Sequence, residues 1–210
     1  MRLIVTLGFW LATNPAVAVA DGQVTELVTD RCKVLAVETE DEAGAPLSKA
    51  EHYASAWRCD GLQGRYVYIR YGDQREDIAF GSRRGPTTPH MEHGHFGSWG
   101  PTIEWRGTRA KSGQLESYAA IVPYRWDIRN GAASGHGAAS GGSEIGGELA
   151  VIRLGRGRTD TCILAWVDMV ANADAMELAR KAADERARRH VCAAAKAPAM
   201  ASIANCTGKF

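Results

Sequence analysis

The chain has 210 residues, of which 25 are basic and 24 acidic, and its formal net charge is +1. This balance gives none of the electrostatic footprint that marks proteins binding nucleic acid or anionic lipid surfaces. The length suits one domain with a hydrophobic core of its own.

The first 20 residues have the pattern of a secretory signal peptide. Arg2 gives a positive start, residues 3–11 are apolar, and residues 18–20 read Ala-Val-Ala, which fits the small-x-small cleavage rule. We predict cleavage after Ala20, which leaves 190 residues beginning at Asp21, and a location in the periplasm or outside the cell. A single-pass anchor is the alternative, but the apolar run is too short to span a bilayer. We therefore expect no transmembrane segment in the mature chain.

The first predicted elements are short strands. One lies around residues 33–37, and an acidic, turn-rich loop follows at 38–49. Residues 55–59, 65–71 and 76–80 form further strands, because Gly and Asp residues between them mark tight turns. The spacing predicts a meander rather than a βαβ series.

The strand at 65–71 carries the predicted binding residues. Tyr66, Tyr68 and Arg70 alternate with aliphatic residues and share one face. An aromatic face with an arginine suits stacking on a sugar or receiving a side chain from a protein partner. This hypothesis requires Tyr66 and Tyr68 to be accessible to solvent. The alternative is that the tyrosines, together with Trp57, Trp105 and Trp126, simply build the core.

Residues 82–100 form a loop rich in glycine and proline. The loop contains His90, Met91, His93 and His95, and imidazole and thioether groups are ligands that transition metals accept. We consider His90, His93 and His95 as a candidate transition-metal site. The alternative is an ordinary solvated polar loop, because no cysteine or acidic pattern accompanies the histidines. No other cofactor is indicated.

The longest alternation covers residues 116–129 and predicts an antiparallel strand with one covered face. Pro123 removes a donor from the ladder, so we expect an edge or a bulge there. Residues 130–147 contain GAASG twice and predict a flexible hairpin loop; an anion cradle is the alternative.

Residues 161–192 predict a buried strand, a turn and a helix with Asn172 as its N-cap. Met176, Ala179, Ala183 and Ala187 form a narrow apolar stripe that allows the helix to lie close to a sheet. A strand of about 20 Å followed by a helix of about 27 Å returns the chain to its starting point. This geometry brings Cys192 near Cys162.

The five cysteines include no CxxC pair, which argues against a zinc knuckle or a thioredoxin-type motif. We predict disulfides Cys162–Cys192 and Cys32–Cys59, and a free Cys206. The predicted fold is α+β: a meander-like antiparallel sheet of about six to eight strands with one C-terminal helix packed on it. Residues 21–192 form the single domain, and residues 193–210 form a tail.

Two stretches, WRCDGLQGRYVYIRYGD at 57–73 and TC…ARKAADE…C at 161–192, resemble small exported bacterial proteins of unknown function. The resemblance implies export but no activity. No nucleophile elbow and no HExxH motif appears, so nothing in the sequence marks a catalytic site. We therefore expect a non-catalytic envelope or secreted protein that binds a ligand or a partner, such as an envelope component. An exported metal-binding protein and a cell-envelope hydrolase are the alternatives.

Overall fold

The structure is a computed structural model that describes residues 20–41, 44–72, 75–127, 145–155 and 160–192. Three predictions lie outside these residues: the signal peptide before Ala20, most of the glycine-rich loop, and the free thiol of Cys206. The domain boundaries are likewise not tested.

The described residues form twelve strands and one α-helix. The strands are β1 (Ala20–Glu26), β2 (Lys33–Glu38), β3 (Tyr53–Asp60), β4 (Tyr66–Gly72), β5 (Arg75–Ser82), β6 (Gly85–Pro86), β7 (Met91–Glu92), β8 (Ser98–Trp99), β9 (Thr102–Arg109), β10 (Leu115–Asp127), β11 (Ile145–Arg153) and β12 (Cys162–Asp168). The helix α1 covers Ala175–Arg186, and a short 3₁₀ turn covers Thr29–Arg31.

Within the described residues, the strands divide into two six-stranded antiparallel sheets. Sheet I has the order β1-β9-β10-β11-β12, with β8 beside β10. Sheet II has the order β2-β3-β4-β5-β6, with β7 beside β5. The predicted fold class, an antiparallel meander with a C-terminal helix, is confirmed. The division into two sheets is a finding that the sequence did not predict.

The main core lies between the two sheets. Val67 and Ile69 from sheet II and Ile103 from sheet I are at most 1% exposed. The rings of Phe80 and Trp105 meet edge to face across the interface, with centroids 5.7 Å apart. Alternation places these side chains on the inner faces, so the opposite face of each sheet remains for other contacts.

The helix packs on the outer face of sheet I. Ala179 and Ala183 are fully buried against it, as the stripe of small residues predicted. Arg106 of β9 binds Asp184 of the helix, with Nη2 2.6 Å from Oδ2. The predicted cap is wrong by two positions: Asp174 precedes the helix. The amide of Asn172 instead donates to the carbonyl of Asp168 at 2.8 Å.

Both predicted disulfides are confirmed. Cys32 and Cys59 connect the 3₁₀ turn to β3, with Cα atoms 4.4 Å apart. Cys162 and Cys192 connect the start of β12 to the chain after the helix, with Cα atoms 5.8 Å apart. The chain returns as expected, although the helix of 12 residues rises only about 18 Å and the non-helical residues 187–192 complete the return.

Across the ranges that the structure describes, we find no helix with the length and apolar character needed to cross a membrane.

Candidate functional site

A cleft lies on the outer face of sheet II. Its floor is Tyr68 at the centre of β4, which is paired with Arg58 of β3 on one side and Ala79 of β5 on the other. Arg70 follows on the same face, opposite Ala56. The two alanines flanking this row are small, so they leave space above the sheet that larger side chains would fill.

The β5–β6 hairpin folds over this face and forms one wall of the cleft. The hydroxyl of Tyr68 donates to the carbonyl of Ser82 at 2.6 Å. Arg58 donates through Nη1 to the carbonyl of Arg83 at 2.8 Å. Side chains of the floor therefore hold the backbone of the hairpin.

The hairpin approaches the sheet closely at Gly81. A Cβ atom there would lie 2.2 Å from the carbonyl oxygen of Gly85 and 2.6 Å from the Cα of Pro86. Any side chain at this position would displace the hairpin, so the shape of the cleft depends on this glycine.

The cleft has a volume of about 340 Å³, which lies at the small end of the range for small-molecule sites. It combines basic groups with aromatic and aliphatic surface. Its lining residues are Leu35, Ala56, Trp57, Arg58, Tyr68, Ile69, Arg70, Arg83, Arg84, Gly85, Pro86 and His90.

Asp77 on β5 positions two of the basic groups. Arg70 donates to its carboxylate through Nε at 3.1 Å and Nη2 at 2.6 Å. The Nδ1 atom of His90 binds the other oxygen. Burial by itself raises the pKa of Asp77, but the hydrogen bonds from His90 and Arg70 outweigh it and hold the pKa below its usual value. The hydrogen bond to Asp77 raises the pKa of Arg70.

The two arginines of the β5–β6 hairpin differ from Arg70, because no described carboxylate pairs with them. Arg83 and Arg84 are exposed, and no carboxylate pairs with either of them in the described part of the chain. Arg58 is oriented by its bond to the hairpin and by Tyr66, whose ring centroid lies 5.0 Å from its guanidinium carbon. Each guanidinium has five N–H donors, so all four arginines retain donors for a ligand.

We expect Asp77→Asn to destabilise the protein by about 1–2 kcal/mol at pH 7, because it removes the charged acceptor shared by Arg70 and His90. A carboxyl whose pKa is lowered on folding stabilises the protein above its unfolded pKa, and this contribution is lost as the pH falls. Urea unfolding should therefore show the difference at pH 7 and little difference below the lowered pKa. Asp60→Asn, at an exposed carboxylate on the same face, is the control. Equal stability of Asp77→Asn and the wild type at pH 7 would contradict this role.

The structure brings two of the three predicted binding residues into the cleft. Tyr68 and Arg70 line it, whereas Tyr66 lies beside it under Arg58. The expectation that both tyrosines are accessible is wrong for Tyr68, which is only 5% exposed. The reason is the β5–β6 hairpin, which covers the ring. The carbonyl of Ser82 in this hairpin accepts a hydrogen bond from the hydroxyl of Tyr68. A binding role for these residues stays a prediction.

The three histidines are not brought together. His90 binds Asp77 in the cleft, whereas His93 is buried among aromatic rings and His95 is exposed and stacked on Trp126. The Nε2 atom of His93 lies 2.8 Å from Glu148, and its Nδ1 accepts the backbone N–H of His95 at 3.0 Å. Both nitrogens of His93 are therefore occupied.

In the residues that the structure describes, no group of three His, Cys, Asp or Glu side chains is arranged to hold a metal ion. Met91 points into the core and is 7% exposed. A shared metal site at His90, His93 and His95 therefore stays a prediction that this geometry does not support.

Sequence reasoning missed three of the four arginines of the cleft: Arg58, Arg83 and Arg84. The available signal was the Arg-Arg pair directly before Gly85-Pro86, which places two cations at the tip of a turn. The pattern gives the turn but not the face of the sheet onto which the hairpin folds.

No protein-family model, no curated protein and no solved structure matches this chain, so a functional assignment depends on the geometry of its own residues.

Proposed function

We propose that the protein is an exported binding module that captures a small organic anion, bearing a carboxylate or a phosphate group, in the arginine-lined cleft. The observation that carries this proposal is the excess of positive charge. Four arginines line the cleft, and Asp77 is the carboxylate paired with one of them.

The arrangement suits an anion in two ways. Arginine forks match carboxylate and phosphate oxygens and form hydrogen bonds about twice as strong as those between neutral groups. Leu35, Ala56 and Pro86 provide apolar surface beside the charges, so an organic anion gains more from the cleft than an inorganic ion does.

A panel of ligands tests this proposal. Thermal unfolding is measured with inorganic phosphate, phenyl phosphate, benzoate and citrate at matched ionic strength, with glucose and choline as neutral and cationic controls. A ligand at ten times its Kd stabilises by about 1.4 kcal/mol, which raises the Tm by roughly 3–6 °C for a chain of this size. The phosphate and carboxylate arms identify the preferred group. If no anion raises the Tm more than glucose does, the proposal fails.

A protein partner in the envelope would bind this cleft through the carboxylate of an acidic side chain. That partner, like the metal-binding and hydrolase alternatives, stays a prediction from the sequence.

Export is the second part of the proposal, and it is supported by the sequence of residues 1–20 and by the two disulfides, which form in oxidising compartments. We expect the protein recovered outside the cytoplasm to have the mass of a chain that begins at Asp21. Intact mass spectrometry measures this directly, and recovery of the exported chain with Met1 retained would contradict it.

A further inference from the structure

His90 adds a group of a different kind to the arginines of the cleft. It directly precedes β7, lines the cleft and has a side chain that is 22% exposed. Its Nδ1 atom contacts one oxygen of the Asp77 carboxylate, and the other oxygen accepts a hydrogen bond from Nη2 of Arg70 at 2.6 Å. One carboxylate therefore holds an imidazole and a guanidinium side by side.

The contact with Asp77 fixes the position of the hydrogen on the neutral imidazole ring. Although burial opposes it, the hydrogen bonds from His90 and Arg70 hold the pKa of Asp77 below its usual value, so at neutral pH the carboxylate can only accept. Nδ1 of His90 is therefore the donor. A neutral ring with its hydrogen on Nδ1 has a lone pair on Nε2, which makes Nε2 an acceptor directed away from Asp77.

Nε2 of His90 is the available side-chain acceptor in a cleft that otherwise offers donors. Of the described residues that line the cleft, only Tyr68 and His90 have side-chain atoms that readily accept a hydrogen bond. Tyr68 lies beneath the β5–β6 hairpin and is 5% exposed. No hydrogen bond between described residues uses Nε2 of His90. An anion with no donor of its own leaves this acceptor unpaired.

The arrangement of these groups limits the shape of the ligand. Arg70 and His90 bind the same carboxylate, so their side chains are neighbours. The side chain of Arg70 is 54% exposed and remains accessible to a ligand. An acidic group bound by the guanidinium and a hydroxyl bound by Nε2 must therefore lie close together in the ligand, as they do in a 2-hydroxy acid or a 2-hydroxyalkyl phosphate.

We propose that His90 selects anions that have a hydroxyl group beside the acidic group, because its Nε2 atom accepts a hydrogen bond from that hydroxyl. This inference rests on the proposed capture of an organic anion and names the ligand class. A site that pairs with a hydroxyl discriminates against the analogue without it, since the acceptor then loses its partner.

Two matched pairs of ligands test this selection. Isothermal titration of the exported protein, with its disulfides intact, is carried out at about pH 8, where imidazole rings are neutral. It compares each enantiomer of mandelate with phenylacetate, and 2-hydroxyethyl phosphate with propyl phosphate. The members of each pair share the acidic group and differ in the hydroxyl. In the pair with the preferred acidic group, we expect the hydroxylated member to bind about fivefold more tightly, as one neutral hydrogen bond provides.

His90→Asn removes the acceptor and keeps a donor for Asp77, because the amide nitrogen of asparagine is as many bonds from Cα as Nδ1 of histidine. We expect the ratio of the two affinities within the preferred pair to fall to about one in this variant. His52→Asn, at an exposed histidine that does not line the cleft, is the matched control and should retain the wild-type ratio. Circular dichroism verifies that both variants are folded.

The outcomes separate this inference from the proposed function. If phenylacetate or propyl phosphate binds and its hydroxylated counterpart binds no more tightly, anion capture stands and selection by His90 is overturned. A hydroxyl preference that His90→Asn retains overturns it as well. If none of these ligands binds, anion capture and the selection fail together. The ¹⁵N chemical shifts of the His90 ring give an independent test, since a neutral ring with its hydrogen on Nε2 would contradict the assigned acceptor.

Discussion

Replacing Arg83 and Arg84 together with glutamine is expected to weaken anion binding about 10- to 100-fold. Charge-assisted hydrogen bonds contribute roughly 1.5–3 kcal/mol each, and the two together contribute less than twice the lower value because both side chains are exposed and screened by solvent. The Tm should stay within about 2 °C of the wild type, since surface substitutions away from structural contacts have small effects. Isothermal titration with the anion that stabilises the protein most measures the affinity.

A control with the same change in net charge separates a site from a general charge effect. Arg125 and Arg189 are exposed arginines in β10 and after the helix, and neither lines the cleft. Arg125→Gln/Arg189→Gln should therefore leave the affinity nearly unchanged. Asp77→Asn should move it in the opposite direction, because the variant removes the negative charge beside Arg70. Equal losses in the cleft pair and the control pair would show that no specific site exists.

The second large effect is expected from the disulfide that closes the C-terminal unit. Removing it by Cys162→Ser/Cys192→Ser should destabilise the protein by about 3–4 kcal/mol, because the bond closes a loop with a sequence separation of 30. This corresponds to a fall in Tm of roughly 10 °C. Cys192 is 8% exposed, so its replacement by serine also buries a polar group. Cys32→Ser/Cys59→Ser, with a sequence separation of 27, should have a similar effect.

Urea unfolding under non-reducing conditions measures these losses. Cys206→Ser is the control, and we expect no change, because Cys206 is the predicted free thiol. Dithiothreitol should lower the stability of the wild type by more than either double variant does, since it opens both bonds. A fall in stability in Cys206→Ser, or a Cys162→Ser/Cys192→Ser protein as stable as the wild type, would contradict the assignment.

The sequence predicted features that depend on length and local pattern. The return of Cys192 to Cys162 follows from the rise per residue of a strand and a helix, and those values vary little between proteins. The buried alanine stripe follows in the same way from helical periodicity. The fold class followed because each of these elements is strongly periodic.

Pro123 interrupts the hydrogen-bond ladder of β10, as a proline must, but β10 is not an edge strand. The carbonyl of Pro123 accepts the N–H of Gly100 at 2.7 Å, so its missing N–H faces the same neighbour. On that side, the ladder with β9 ends at Ile121 and the one with β8 begins at Tyr124. The proline therefore occupies a gap between two short strands on one side of a central strand, rather than an edge.

The candidate cleft could be predicted only in part, because it depends on contacts between distant residues. Alternation correctly placed Tyr68 and Arg70 on one face. It could not show that a hairpin beginning fourteen residues later would cover Tyr68, since that depends on the hydrogen bond from its hydroxyl to Ser82. The same limitation applies to His90, which was considered as a metal ligand and lies against Asp77 instead.

Mapping of anion binding by two-dimensional ¹⁵N–¹H NMR tests the central claim most directly. Phenyl phosphate and benzoate are titrated into the exported, labelled protein, and amide shift changes are followed to saturation. We expect the largest saturable changes at residues 83–85, with smaller ones at Arg58, Tyr68, Arg70 and His90. Saturable changes centred elsewhere, such as Arg188, Arg189 and His190 after the helix, or no saturable change with either anion, would contradict this expectation.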